Sequence, residues 1–583
     1  MITGLRRDLG SRAASGSWLV GLCALIAYAL LASPRIVDGD SAEFATLAAI
    51  GGRAHPSGYP LYVLWLRLWS WLPGATAAQA AGFATAILGA LAVGVLHAAC
   101  RAWGARPVAA TISAVIVAAA PIIERYHSEA EVFAMNNLVV ALVLWISAAG
   151  GPLRGRWRAA ALAVIAGAGL ANHLTCVLVA PIGLLGVVRG VRETRAAGGS
   201  AVAACALAVA GLGLGLLPYA YLLAGDGPAS WGDVATLSDV LDTFLRRDYG
   251  GATSFQATGA TVPWLTSVAA LAATIARSWL WLLAVGGVAM LAVRIRRPIG
   301  ESRWAWALLA ASFVLAGPVL VARFNIDPQG LGRYVCERFH VLPTILLAVP
   351  VAALLDLVCA RLARPAIATG AAVLGFAVLS LASAPGLARV HSPAMELGIR
   401  NLLRSLPPSS VVVVIDDDLC FGGRYVQLVG GERPDVAVVC GGMLPWPWYR
   451  AVWARRGLLL ADDLGPSLGV ALLRTGRPSF VDRRQTRLLT AYPSYAFGIT
   501  RRLLPPGTEP PRPRDVAAIN REIYRGYDLD YPRPGPDDEY AAVAHHRYAE
   551  GWVTIASLLA AGGDREAAAE ALELARALLP ADD

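Results

Sequence analysis

Apolar runs rich in Ala, Leu, Val and Gly recur from about residue 17 to residue 385, and short arginine-bearing stretches separate them. Several are long enough to cross a hydrocarbon core of ~30 Å, which takes ~20 helical residues. Only 16% of the chain is charged, against roughly 25% in an ordinary soluble domain. These features predict a polytopic α-helical membrane protein. The expected spans are 17–33, 77–100, 107–123, 132–149, 158–171, 174–189, 201–224, 277–294, 304–322, 340–358 and 365–384, about eleven transmembrane helices. The N-terminal basic residues, apolar run and Ala32-Ser33-Pro34 have the outline of a signal peptide. An uncleaved first helix is the preferred reading, because the polar segment that follows needs an anchor.

The arginines assign the two sides. One set of loops holds Arg6, Arg7, Arg12, Arg101, Arg106, Arg154, Arg156, Arg158, Arg189, Arg192, Arg195, Arg294, Arg296, Arg297, Arg303, Arg361 and Arg364, all in short segments. The alternate set spreads Arg35, Arg53, Arg67, Arg125, Arg246, Arg247, Arg277, Arg323, Arg333 and Arg338 over much longer stretches. The positive-inside rule places the first set in the cytoplasm. The N-terminus is then cytoplasmic and the C-terminal domain extracytoplasmic, as expected for a multi-pass plasma-membrane protein. The net charge of +9 is thereby a topological signal, and nucleic acid is excluded as a partner. The chain contains no lysine, which rules out Schiff-base and P-loop lysine chemistry. The eight cysteines show no C-x-x-C pair. Cys420 and Cys440 both fall outside and could form a bridge.

The stretch 158–189 is too long for one straight crossing, and both its ends are arginine-rich. Two short arms with Asn172-His173 at the tip satisfy both facts. Such a tip lies below the outer surface, in protein-lined space, where a polar pair is a candidate for function.

Four polar features fall on the outer side. The first is Asp38-Gly-Asp40-Ser-Ala-Glu43-Phe44, continuing through Arg53-Ala-His55-Pro-Ser-Gly58-Tyr59 into a Trp-rich run from Tyr62 to Leu72. Asp40 and Glu43 share one face if a helix starts near Asp40; a capping box at the same helix start is the structural alternative. The Trp-rich run is expected in the interface plane, roofing a pocket. The second feature is the segment Glu124 to Phe133, with Glu129 and Glu131 at a span start. The third is the Asn172-His173 tip. The fourth carries Arg323, Arg333, Glu337 and Arg338. Arginine there runs against the positive-inside trend, and phosphate recognition would justify it. A structural pair of Arg338 with Glu337 or Glu131 is the alternative. Together the four could form a glycosyl-transfer pocket. A carboxylate orients or deprotonates an acceptor hydroxyl, and arginines stabilise a phosphate leaving group. A transporter or lipid flippase is the rival reading, but it would place polar groups near the midplane, often with internal repeats. A non-catalytic scaffold is a third.

The residues Gly39-Asp40-Ser41-Ala42-Glu43-Phe44 and His55-Pro56-Ser57-Gly58-Tyr59-Pro60-Leu61 resemble a bacterial family related to the transmembrane protein O-mannosyltransferases. Its pattern is close to G-D-S-G-E-F and then H-P-P-G-x-P-L, so Ala42 and Ser57 depart mildly. Glu129-Ala-Glu131-Val-Phe-Ala134 resembles E-G-E-V-Y-A. Gly169 to Leu174 resembles G-x-x-x-H-L, and Arg338-Phe339 with Pro343 resembles R-F-x-x-P. The resemblance implies a GT-C-like fold over 1–385 and a catalytic Asp in the first outer loop. It also implies a polyprenyl-phosphate-linked sugar donor, with mannose as one option. Asp40 and Glu43 are then the catalytic candidates. His55, Tyr59, Glu129, Glu131, Asn172, His173, Arg333, Glu337 and Arg338 are the substrate-binding ones. The implied partners are the lipid bilayer, the lipid donor and an extracytoplasmic protein (Ser/Thr) or glycan acceptor. No cofactor is required by this reading, although a divalent cation with unknown ligands stays open.

From about 386 the chain is more polar. Ser409–Ile415 and Asp435–Cys440 read as strands of a small α/β domain reaching to 535. Asp416 and Asp418 form a D-x-D after a strand, a pattern that elsewhere holds a metal with a nucleotide sugar. No nucleotide sugar is expected outside, so a turn or helix cap is preferred. Residues 536–583 read as a tetratricopeptide-like helical hairpin around Gly562-Gly563, which should dock on a neighbour because a lone repeat rarely stands by itself.

Overall fold

A computed structural model describes residues 2–251, 261–359, 365–535 and 540–581. Arg361, Arg364 and the boundary expected at 536 lie outside the described residues. Helices Ala77–Ala102, Leu174–Ala196, Ala201–Ala224 and Val341–Cys359 are long and apolar enough to cross a membrane singly. Two further spans are broken. Pro107–Ala118 and Pro121–Ser128 meet at 69°, and Trp264–Ser278 and Leu282–Arg296 meet at 107°. Shorter apolar helices include Gly16–Leu31, Phe133–Ser147 and Arg303–Val319.

The eleven expected crossings are therefore not eleven straight helices. The apolar pattern runs through both breaks, so periodicity could not register them. At the first break Pro121 lacks the N–H that would continue the helix. At the second, Leu280 and Trp281 adopt positive φ, which ends the helix. The expected span 277–294 thus starts only at Leu282, and a separate helix, Trp264–Ser278, precedes it.

The 158–189 stretch folds as two arms. Helix Gly155–Leu170 ends at the tip, and Leu174–Val179 returns as a 3-10 turn. Close helix approach supports this corner: a Cβ on Gly167 would lie 2.9 Å from the Cα of Gly215 on the Ala201–Leu216 helix. Small residues permit such contact between helices in a membrane.

Ion pairs respect the two sides assigned from the arginines. Arg106 pairs with Asp356, Arg158 with Glu193 and Arg189 with Glu301; each joins segments of the arginine-rich set. Arg53 pairs with Asp226, Arg125 with Asp38 and Arg338 with Asp40; each joins segments of the other.

The C-terminal domain, expected outside from the arginines and called the outer domain for that reason, holds five strands: β1 Val411–Val414, β2 Ala437–Cys440, β3 Ser479–Val481, β4 Ser494–Phe497 and β5 Thr500–Leu503. Their order is β2-β1-β3-β5-β4. β1 runs parallel to β2 and β3, with Val411 opposite Ala437 and Ser479, and β5 is antiparallel to β3 and β4. All four residues of β1 are buried, as a central parallel strand requires. The Cys420–Cys440 disulfide fastens the Asp417–Leu428 helix to β2. Helices Tyr540–Ala561 and Arg565–Leu578 form the C-terminal hairpin. Tyr548, Trp552 and Ile555 belong to the same apolar core as β1. That core also takes in Ile36, Ala42 and Ala45 from the first outer loop. The loop and the outer domain are therefore packed as one body.

Candidate active site

Asp40 closes a turn in which Gly39 has φ +66°. The turn needs glycine for a second reason: a Cβ there would lie 3.2 Å from Glu131 Oε1 and 3.5 Å from an Arg338 guanidinium nitrogen. Helix Ser41–Ile50 starts immediately afterwards, but the Asp40 side chain does not cap it. Its carboxylate instead accepts a hydrogen bond from Arg338 at 3.0 Å. Glu43 likewise makes no capping box. One of its oxygens accepts the His55 backbone N–H at 3.0 Å, and the other lies 2.6 Å from His55 Nδ1. The capping alternative is thus replaced by ionic partners drawn from distant segments.

His55 links the two acids. Its Nε2 lies 4.0 Å from Asp40 and 3.1 Å from the Tyr59 hydroxyl. Burial works against the imidazolium, but Glu43 and then Asp40 outweigh it and push its pKa up to about 9. Burial also works against the Asp40 carboxylate. His55 and Arg338 outweigh it and hold that carboxyl below its usual range. Glu131 differs: burial, followed by the nearby Asp40 charge, pushes it up to about 8. At neutral pH it is therefore mostly protonated. Its Oε1 accepts the Asp40 backbone N–H at 3.4 Å, and its Oε2 is buried without a hydrogen-bond partner.

The other expected residues divide. His173 stacks on Tyr59, with ring centroids 5.9 Å apart and planes 13° from parallel. It also packs near Phe133 and Phe339, and Leu61 N–H bonds the Ala171 carbonyl, tying the tip to the first loop. Glu129 is one shell out, beside Arg125 and His391. Arg125 in turn holds Asp38 at 2.5 Å, so Asp38 is a brace. Asn172 hydrogen-bonds the Val132 carbonyl and positions the loop. Arg333 and Glu337 pair with each other. They bond each other at 2.8 Å on successive turns of their helix, with Arg277 3.6 Å from Glu337. The i,i+4 spacing brings them together and leaves Arg338 to reach the site.

Sequence reasoning missed two charged residues. Arg246, at φ +57° in an outer loop, acts electrostatically on Asp40, His55, Tyr59 and His173. The signal was available, because Arg246-Arg247 breaks the positive-inside trend as Arg338 does. Asp417 of the outer domain interacts electrostatically with Asp40, His55 and Glu43. Its flanking acids have another role, since Asp416 and Asp418 both bind Arg547 and Asp416 also binds Arg484. The D-x-D is therefore an arginine clamp.

The ligand atoms of Asp40, Glu43 and His55 lie within 4.8 Å of one another. A cation there would have to displace the Arg338 guanidinium and the proton shared by His55 and Glu43. The charges already match without one, so these residues do not fit a resident metal.

The raised His55 pKa has a testable sign. Its contribution to stability is fully present below the unfolded value of about 6.5 and is lost as pH rises through about 9. The melting temperature of wild type should exceed that of His55→Asn by a margin that shrinks between those pH values. A constant margin would show that His55 is not charged in the fold.

The family model of the protein O-mannosyl-transferase TMEM260 N-terminal domain matches residues 40–196. Protein O-mannosyl-transferase TMEM260 of Mus musculus is 27% identical over 482 residues, covering 78% of this chain and 67% of the mouse protein. The protein of the same name from Dictyostelium discoideum is 28% identical over 131 residues, 22% of this chain and 16% of that protein. Crystal structures of ArnT from Cupriavidus metallidurans, bound to undecaprenyl phosphate and in the apo state, align with TM-scores of 0.48 and 0.47 at 14% identity. They cover 85% and 83% of this chain and 98% and 96% of their own. The class is thus a multi-pass membrane protein similar over most of its length to a transmembrane glycosyltransferase. Within that class the chain is a relative of the transmembrane protein O-mannosyltransferases, and the matched segment begins at Asp40.

Proposed function

We propose that the protein transfers a hexose, mannose being the first to test, from a polyprenyl-phosphate donor to a hydroxyl of an extracytoplasmic acceptor, such as a protein Ser or Thr. One observation carries this reading. A carboxylate and an imidazole from one loop meet a guanidinium from a distant part of the chain at Asp40, with Arg338 at 3.0 Å and His55 at 4.0 Å. The Asp40–Arg338 pair is the resting arrangement. A donor phosphate entering the site competes for Arg338, with Arg246 nearby as a second positive charge. Asp40 then loses its counter-ion and becomes a stronger base. It accepts the proton of the acceptor hydroxyl while that oxygen bonds the anomeric carbon. The bond from that carbon to the phosphate oxygen breaks, and the arginines stabilise the leaving polyprenyl phosphate. Protonated Glu131 offers a further hydrogen bond beside Arg338.

The arginine distribution supports a cytoplasmic N-terminus and an outer face for this chemistry in a plasma membrane. Purified protein given radiolabelled polyprenyl-phosphate mannose or glucose, with Ser/Thr-containing peptides, should label the peptide and release the lipid phosphate. Absence of transfer from every such donor would overturn the reading.

A further inference from the structure

The outer domain clamps two of its three consecutive aspartates and leaves the middle one unpaired. Asp416 and Asp418 are bound by Arg547. Asp417 makes no hydrogen bond or ion pair among the described residues, is exposed, and begins the Asp417–Leu428 helix. That helix packs against Ser41–Ile50, the helix that follows Asp40. Phe421, one turn on from Asp417 and so on the same face of that helix, lies 6.5 Å from Trp231, ring centroid to ring centroid, and the Asp417 charge interacts with those of Asp40, Glu43 and His55 across the junction. A third acid near two others is electrostatically unfavourable, and such arrangements cluster at functional sites.

Aromatic rings adjoin this junction. Trp231 and Tyr249 lie 6.1 and 6.5 Å from His55, ring centroid to ring centroid. Trp446 of the outer domain packs on both, 4.9 Å from Trp231 and 6.0 Å from Tyr249. Tyr249 and Trp446 are only partly buried. An acceptor carboxylate beside aromatic faces suits a pyranose. The sugar's hydroxyls donate to the carboxylate in charge-assisted bonds, and its polarised axial C–H groups meet the negative ring faces.

We propose that Asp417, with the accessible faces of Tyr249 and Trp446, forms a pyranose-binding subsite that the outer domain adds to the membrane-borne site. The inference rests on the glycosyltransferase reading above. The pyranose is either the donor's hexose or a sugar of a glycan acceptor, and the two sources separate by experiment.

Full-length wild type, Asp417→Asn and Asp417→Ala would be titrated with a bare polyprenyl phosphate, with the same lipid bearing mannose or glucose, and with methyl α-mannoside and methyl α-glucoside. Wild type should bind a hexosyl lipid about tenfold or more tighter than the bare lipid, the scale of one hydrogen bond to a charged group. Both variants should lose that margin and bind the bare lipid unchanged. If only binding of a methyl glycoside falls, the subsite is confirmed and its sugar belongs to the acceptor. Variants that keep all sugar-dependent binding overturn the subsite and leave the glycosyltransferase reading standing. So does a loss of bare-lipid binding in equal measure, which marks a structural residue. A wild type that binds neither lipid overturns that reading itself, and the subsite with it.

Discussion

Asp40→Asn should reduce sugar transfer by about 10²- to 10⁴-fold, the usual contribution of a general base. The amide keeps the shape and can still accept a hydrogen bond from Arg338, so the fold should survive. Two opposing effects on the donor make the prediction specific. The variant loses the proton acceptor, and it also frees Arg338 from its carboxylate partner 3.0 Å away. Binding of polyprenyl phosphate should therefore stay level or tighten while turnover collapses. That pattern, a fall in kcat without a rise in donor KM, assigns Asp40 to the chemical step. Transfer within a few-fold of wild type would remove Asp40 from the mechanism.

Arg338→Ala should act on both function and stability. Loss of a preorganised donor to a developing phosphate charge costs about 10²- to 10³-fold in turnover, and donor binding should weaken with it. The fold should suffer because Asp40, its side chain 18% exposed, keeps its charge without its nearest counter-ion. Breaking a buried pair from one side costs about 3–5 kcal/mol, and the exposure of Asp40 together with the nearby His55 should bring the loss below that range. The double variant Asp40→Asn/Arg338→Ala supplies the control. Removing both charges should recover part of the melting temperature lost by Arg338→Ala alone, while activity stays at background. Additive losses in stability would show that the two side chains do not interact.

Legibility in the sequence followed the range of the interactions. Asp40, Glu43, His55 and Tyr59 sit within one short segment, and their grouping needed only local spacing. Arg338 was legible for a different reason: an arginine on the outer side stands out against the topological trend. That criterion should have raised Arg246 as well, but it raised Arg333, whose charge Glu337 takes up on the next helical turn. Asp417 was noticed only as the middle of a D-x-D pattern, and the pattern gave the two flanking acids the prominence. Which of three adjacent acids is left unclamped depends on where Arg547 and Arg484 dock, and no local rule supplies that. The helix breaks near Ala119 and Leu280 were hidden because hydropathy continues through them. A hydropathy pattern records what an apolar segment buries and says little about its direction.

The core shared by Ala42, Ala45 and the outer domain also orders events during synthesis. The segment carrying Asp40 leaves the ribosome early. The helix against which it packs, Asp417–Leu428, follows only after the whole set of spanning helices has been made. Domains generally fold as they emerge, but this loop must wait for its far partner. A chain released before that point would hold its carboxylates with no roof and one wall missing. Assembly of the candidate site is thus expected late in biogenesis, and a chain cut short before Asp417 should show none of the proposed transfer.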